Sequence, residues 1–517
     1  MATVEFDNFA GGEWGRLGAD RAAKNQWSGS NVLVYETGEI GVRPGLKQVA
    51  VTGLSNGIIQ QLFSAYGSVD RVGFVQGTAL RTFDGVAGSA VASAGTAFAS
   101  TPGNNTSFVR SGEDLVYVTV NSAATGPYVV DLSVPTNTLL TGSPPQCDPV
   151  AVYGDRLVVG NLGIGLTNAI RFSKALDFNN WTVSAGNAVQ IAISTSDDEV
   201  QGLWAQRTHL LIQMKFSGFW ILTGTPGTNE SLRKVVHIAG GPRQSGGSMT
   251  PDGRLWFSSV DSPTPHYFDG ATISTPAPYL RVDNNPVPGV AGTVPTVRGV
   301  VPARFPRSVF FTDYNVTNNA GLLLHNGVWS SHVFGAISSS RRYLAMDLPN
   351  ALRTDSRGVM ILADIADGAS APAFYQWVLN QNSPGIEGGS MQRAGDGAAT
   401  HVVGTAELPN FTDKEGRELL VRRVTVHFRS WNTGASDNTT LTATVRAVRE
   451  YEGTTVDSTA LTWTAAPATS SASGTLRRVD FSFGDQGQGS AFQVLFTGLR
   501  GVAIRRVVVD YETVPHR

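Results

Sequence analysis

The densest group of side chains that could do chemistry is Ser196-Asp-Asp-Glu199, with three carboxylates in consecutive positions. Adjacent acids could bind calcium or act as general acid and base. Calcium loops, however, place oxygen ligands at alternate positions around a glycine, so this run reads as a solvated turn. None of the eight histidines stands in a His-Glu-x-x-His arrangement or beside a cysteine pair, so the usual zinc spacings are missing. His209, His266 and His325 fall inside or at the ends of expected strands and read as structural histidines. Gly160-Asn-Leu-Gly-Ile-Gly165 has the glycines of a phosphate cradle but neither a lysine nor a following amphipathic helix, and reads as a wide turn between strands. There is no Gly-x-Ser-x-Gly nucleophile elbow and no Walker-type loop. Cys147, the single cysteine, allows neither an intrachain disulfide nor a thiolate zinc cluster, and its Pro-Pro-Gln-Cys-Asp setting is loop-like.

Thr250-Pro-Asp-Gly-Arg-Leu-Trp256 resembles the Asp-box turn of sialidase propellers, in one copy. Carboxylate-based glycosidases need two acids at a defined separation, and no pair is nominated. The sequence therefore assigns no catalytic, cofactor-binding or metal residue, and the chain is expected not to be an enzyme.

The elements that would position such residues are strands. Charged residues make up only 15% of the 517 residues, apolar residues 41%, and there are 58 glycines. Val, Thr and aromatics favour a pleated, half-buried surface, while glycine supplies turns. Helical periodicity is nearly absent. Apolar runs broken by Gly, Asp, Asn and Pro recur instead, each leading to a second strand that often ends in an aromatic-Asp or Asp-Gly corner. Val72, Leu115, Leu157, Leu210, Leu255, Val309 and Val359 are equivalent positions in this recurrence, 42 to 54 residues apart. That is roughly the 40–50 residues of one four-stranded propeller blade. The expected fold is all-β: a β-propeller of six or seven blades over 53–380, followed by a C-terminal β-sandwich over 400–517. A weakly repetitive double sandwich is the competing arrangement. Residues 1–52 read as an N-terminal segment leading into the propeller, and the Gly/Ser/Asn-rich stretch 381–399 as a linker. Period-two alternation in Leu419–Phe428, Leu441–Val448, Phe492–Phe496 and Val502–Tyr511 supports the sandwich.

The formal net charge is −2, from 39 basic and 41 acidic side chains. A protein that grips DNA needs a basic surplus to displace counterions from phosphates, and none is present. The doublets Arg341-Arg342, Arg422-Arg423 and Arg505-Arg506 read as solvated strand-edge charges. No stretch of 18 apolar residues suggests a membrane span, and Met1 to Phe9 lacks the features of a signal peptide.

Three segments resemble a known family. Trp27-Ser-Gly-Ser-Asn-Val-Leu-Val-Tyr-Glu-Thr-Gly-Glu-Ile-Gly-Val-Arg-Pro-Gly45 is similar to the opening segment of tailed-phage tail proteins. Ile170-Arg-Phe-Ser-Lys-Ala-Leu-Asp-Phe-Asn-Asn-Trp-Thr182 is similar to an Arg-aromatic-Ser…Trp-Thr corner in the same proteins. Phe483-Gly-Asp-Gln, Phe492-Gln-Val-Leu-Phe and Leu499-Arg-Gly-Val-Ala-Ile-Arg-Arg-Val-Val-Val-Asp-Tyr-Glu512 resemble their C-terminal β module. The proteins meant are the propeller-bearing nozzle or hub subunits of short, podovirus-type tails.

The resemblance implies a structural virion protein in the phage tail. It implies a ring of copies, six being typical, around the DNA ejection conduit, next to adaptor and fibre or spike proteins. DNA would be a transient passenger, with no cofactor and no membrane insertion. Arg43 and Pro44 would be turn residues that set the opening strand, and Gly484-Asp485 another turn. The alternative is a carbohydrate-binding or glycoside-hydrolysing propeller protein.

Overall fold

The computed structural model describes residues 1–13, 25–35, 38–43, 46–49, 51–54, 56, 59–64, 71–84, 92–93, 107–112, 114–119, 126–236, 247–250, 252–257, 264–277, 300–303, 308–312, 320–325, 327–333, 342–347, 358–365, 372–379, 403–413, 415–430, 439–449, 454–465, 475–484 and 488–514. Every regular element among them is a β-strand. The chain forms a β-propeller and, beside it, two larger β-sheets.

Six four-stranded antiparallel sheets follow one another within 59–93, 107–139, 150–192, 200–236, 247–274 and 300–333. A seventh is built from Arg342–Asp347, Gly358–Ile365 and Ala373–Leu379, with Leu46–Val49 as its fourth strand. The seven positions that define the sequence recurrence all lie on the second strand of successive sheets, from Val72 in Arg71–Gln76 to Val359 in Gly358–Ile365.

These second strands recur because both of their faces are buried. In Leu115–Thr119, Val116 and Val118 pack with Phe63, Val75 and Leu80 of the first sheet. The intervening Tyr117 packs with Val150, Leu157 and Val159 of the third. In His209–Met214, Leu210 and Ile212 face Val158, Ile170 and Phe172 of the third sheet, while Leu211 faces Phe257 and Phe268 of the fifth. Burying one such side chain contributes about 1.5–3 kcal/mol, and a sheet alone could bury only one face. Radial stacking buries both.

The stack closes on itself. First strands of neighbouring sheets touch around the ring, the fourth and fifth through Trp204 Nε1 donating to the Gly247 carbonyl at 3.3 Å, and Arg342–Asp347 of the last touches Ile59–Ser64 of the first. Phe374 of the seventh sheet lies 5.1 Å from Phe74 and 4.6 Å from Phe83 of the first, between ring centroids.

The two larger sheets form the sandwich. One runs Val32–Val34, Ile40–Val42, Val502–Val514, Glu418–Ser430, Thr475–Ser482, with Ala2–Phe6 also on Val502–Val514. The other runs Gly12–Glu13, Gln26–Ser30, Gly404–Glu407, Ala491–Arg500, Thr439–Arg449, Thr454–Asp457. Their inner faces share one core that includes Trp27, Val424, Val426, Phe428, Val445, Phe492, Phe496, Ile504 and Val507.

Residues 1–52 thus divide differently from the expected lead-in. Five strands before residue 43 belong to the sandwich, and only Leu46–Val49 enters the propeller. The propeller is an insertion between Val42 and Gly404. Residues 381–399, expected as a linker, lie outside the described residues.

Candidate functional site

The place where sequence, burial and charge converge is the crossover from sandwich to propeller. The chain leaves the sandwich at Val42 and four residues later begins the strand that completes the seventh sheet. Register in that sheet sets Leu46 against Trp377 and Val49 against Phe374. Using a distant segment as the fourth strand ties the first and last parts of the propeller together and covers an edge that would otherwise be open to pairing.

Arg43 sits in this crossover and is 4% exposed. Its Nε donates to Asn31 Oδ1 at 3.0 Å, its backbone N–H donates to the Asn31 carbonyl at 2.9 Å, and its guanidinium lies 5.9 Å from the Trp377 ring centre. It is therefore a buried anchor as well as a turn residue. Pro44 lies outside the described residues.

The indole of Trp377 is also met edge-on by His332, with ring centres 5.3 Å apart. His332 is fully buried, and its Nε2 lies 2.8 Å from Ser330 Oγ. His325, on the neighbouring strand, is buried too. Burial holds both imidazoles below their ordinary range. His325 is lowered to about 4, and His332 is pushed down further by the positive charge of Arg43 and by His325. Both are neutral at pH 7.

The strand carrying His332, Val328–Val333, packs on Gly12–Glu13, Gln26–Ser30 and Val32–Val34, and Val328 enters the sandwich core. Nearby Glu39 is 3% exposed and accepts from Arg429 Nε at 2.8 Å. Burial also raises the Tyr35 hydroxyl well above its usual pKa, and that hydroxyl donates to the Val42 carbonyl at 2.6 Å.

The structure corrects the reading of the acidic run. Asp197 is exposed, but Asp198 is 3% exposed. Asp198 Oδ1 accepts from the N–H groups of Phe216 and Glu199, each at 2.9 Å. Its Oδ2 accepts from the Ser217 N–H and Ser194 Oγ, each at 3.1 Å. Burial alone would raise its pKa, yet the hydrogen bonds from Ser217, Phe216, Glu199 and Ser194 together hold it below the ordinary carboxylate value. Four donors converge on one carboxylate, so this is a fastener between loops and not a solvated turn. Glu199 pairs with Lys215 at 3.4 Å across the same turn.

Other flagged residues are turns or core. The 160–165 run makes a tight loop through positive φ at Asn161, Gly163 and Gly165, with Leu166 N–H donating to the Gly163 carbonyl. Residues 252–254 complete a hairpin in which Thr250 N–H donates to the Arg254 carbonyl at 2.8 Å. His266 is held between Thr264 and Thr275 hydroxyls at 3.2 and 2.9 Å. Cys147 is buried, and burial followed by the charge of Asp148 drives its thiol pKa up, away from reactivity.

The arginine doublets are not simple edge charges. Arg422 pairs with Glu512 at 2.8 Å, Arg423 with Asp510 at 2.6 Å, and Arg506 with Glu5. Arg341 and Asp485 lie outside the described residues.

The seven first strands, around the propeller axis, contain two arginines, Arg110 and Arg342, and one acid, Asp347. Arg110 is tied to Ser64 through its carbonyl at 2.6 Å and its hydroxyl at 3.0 Å. These strands alone do not supply a carboxylate pair. Among the described residues, no group of three or more His, Cys, Asp or Glu could hold a metal ion.

No protein family matches the chain, and no curated protein matches it. Among solved structures, it is similar to a catalytically inactive virginiamycin B lyase from Staphylococcus aureus with quinupristin. The TM-score is 0.44 and the identity 12%, over 65% of this chain and 99% of that one. A streptogramin B lyase structure aligns with a TM-score of 0.42 and 10% identity, over 65% of this chain and 97% of that one. Likeness at this level says nothing of what this chain binds or converts.

Proposed function

We propose that this chain is a structural subunit of a phage tail, forming a ring as a nozzle or hub around the DNA ejection conduit, and is not an enzyme. Its propeller is read as seven-bladed, one blade for each four-stranded sheet. Its partners are other copies of itself, six in the reading adopted, with neighbouring adaptor and fibre or spike proteins. Its place is the virion tail.

The observation that carries the reading is where the family-like segments meet. Residues 27–45 and 483–512 stand at opposite ends of the sequence, yet their described strands belong to the same sandwich. Gly41 pairs with Ala503 and Ile40 with Ile504. Two of the three segments that resemble tail proteins are therefore one folded unit, while the third, Ile170–Thr182, begins on a strand of the third propeller sheet, and the propeller joins the sandwich through the crossover at Arg43 and the return at Gly404.

The charge pattern agrees. Arg422, Arg423, Arg429 and Arg506 of the sandwich are each paired with a carboxylate, and net charge is −2. A passing duplex would find little to hold its phosphates. Light scattering coupled to size-exclusion chromatography tests the assembly: a closed ring supports the proposal, and a stable monomer at all concentrations counts against it.

A further inference from the structure

We propose that the crossover is an acid-sensitive latch: Arg43 and His332 against the Trp377 indole, with His325 further along the neighbouring strand, hold the closing strand Leu46–Val49 in place while both imidazoles are neutral, and free it when they take up protons. This inference rests on the junction and is independent of the tail assignment.

The geometry gives a short mechanical route. Trp377 touches Arg43 on one side and His332 on another, and it is the register partner of Leu46, the first residue of the closing strand. Arg43 itself lies three residues before that strand. A change in the packing of the indole therefore acts on the pairing that shuts the propeller.

The charges around His332 make protonation disruptive. Arg43 from the crossover is a permanent cation. His325, from Ala320–His325, would become a second cation. From its own strand come Val328, Trp329 and Ser330, all uncharged, and from Ala373–Leu379 comes the neutral Trp377. Of the sandwich strands packed on it, Gln26–Ser30 and Val32–Val34 carry no ionisable carboxylate, and Gly12–Glu13 contributes Glu13 by sequence. Glu39, the buried acid nearby in sequence, is already taken by Arg429.

A proton on His332 thus places a second positive charge in a buried volume beside the fixed one, and a proton on His325 adds a third, four register positions along the same hairpin. Such a volume either expels the charge by opening or refuses the proton. The burial that keeps the imidazoles neutral means that opening, when it comes, is driven by acid. Among the described residues the sandwich core is apolar and holds no histidine, and His427, between Arg478 and Arg506, is only half-buried. The closing strand is therefore released before the sandwich melts.

The test is hydrogen exchange of the full-length protein from pH 7 to pH 4, with rates corrected for intrinsic pH dependence. Peptides spanning 46–49 and 328–333 are compared with Ala491–Arg500 of the sandwich. The expected result is a loss of protection of about tenfold or more at the first two between pH 6 and pH 4.5, with the third nearly unchanged. A His325→Gln/His332→Gln double variant keeps hydrogen-bonding capacity without a titrating ring, and should lose the acid response. The latch is overturned if the wild type shows no selective loss, or if the double variant loses protection as the wild type does. Should the double variant fail to fold, imidazole titration of the wild type by NMR decides. A His332 that titrates in the folded protein above pH 6 overturns the latch, and one that stays neutral until the two segments open supports it.

Discussion

Asp198 offers the sharpest energetic test of the structure. Replacing it with alanine removes a carboxylate that accepts four hydrogen bonds, three of them from outside its own peptide link: Phe216 N–H, Ser217 N–H and Ser194 Oγ. A hydrogen bond to a charged group contributes about 1.5–3 kcal/mol net. Phe216 is 55% exposed, so water can replace part of what its N–H loses. The expected cost of Asp198→Ala is therefore about 2–4 kcal/mol, less than the sum of three full bonds.

Asp198→Asn keeps the shape but turns an NH₂ group toward at least one backbone N–H whichever way the amide flips: Phe216 and Glu199 on one side, or Ser217 on the other, where the Ser194 hydroxyl can accept instead. It should retain more than half of the alanine loss. Asp197→Ala, at an exposed position, should change stability by less than about 0.5 kcal/mol.

Amide exchange at Phe216 and Ser217 reads the effect locally. A loss of 2–4 kcal/mol corresponds to protection lowered by about 30- to 1000-fold. The pH dependence has a defined sign. The folded pKa of Asp198 lies below its unfolded value, so its contribution is complete above the unfolded carboxylate range and is lost as pH falls through the folded pKa. Unchanged exchange at both amides, with Asp198→Ala as stable as wild type, would refute the reasoning.

Four further outcomes are expected. Arg429→Met leaves Glu39 buried without its partner and should cost about 3 kcal/mol in denaturant unfolding, of which Glu39→Gln in the same chain recovers most. His325 should give stability a slope with pH. Its folded pKa of about 4 lies below the unfolded value near 6.5, so stability is full above pH 6.5 and falls by up to about 3 kcal/mol by pH 4. His325→Leu should flatten that slope in calorimetry. Val49→Asp sets a carboxylate opposite Phe374 on the closing strand and should expose the propeller to protease while sandwich peptides stay protected. Ile164→Asp, at a fully exposed loop tip, should leave the melting temperature of the isolated chain unchanged.

How much of this was legible in sequence depended on whether the governing contacts are local. The propeller repeat shows because second strands such as Leu115–Thr119 and His209–Met214 are buried on both faces and so appear as uninterrupted apolar runs. The sandwich shows through alternation in Glu418–Ser430 and Val502–Val514, each with one face toward the core. Pairing over long separations leaves no such trace. Nothing in Ile40–Val42 announces a partner at Ala503, and nothing in Leu46–Val49 announces one at Phe374.

Asp198 was misread for the same reason. An acid among acids signals solvent until the turn at Phe216 and Ser217, 18 and 19 residues on, brings its N–H groups to it. Arg43 has the sequence setting of a turn residue, and contacts with distant residues, among them the indole of Trp377 and the amide of Asn31, make it an anchor. The burial of His325, in contrast, was legible because its neighbours Leu322, Leu323 and Leu324 already mark a buried strand.

The central claim is that this chain is a wall of a tail conduit. Electron microscopy of the assembled particle tests it most directly, with the propeller and sandwich fitted into the density. The account predicts a closed ring of copies on the tail axis, around a lumen wide enough for duplex DNA. A single copy on a peripheral fibre or spike, away from the axis, would contradict it.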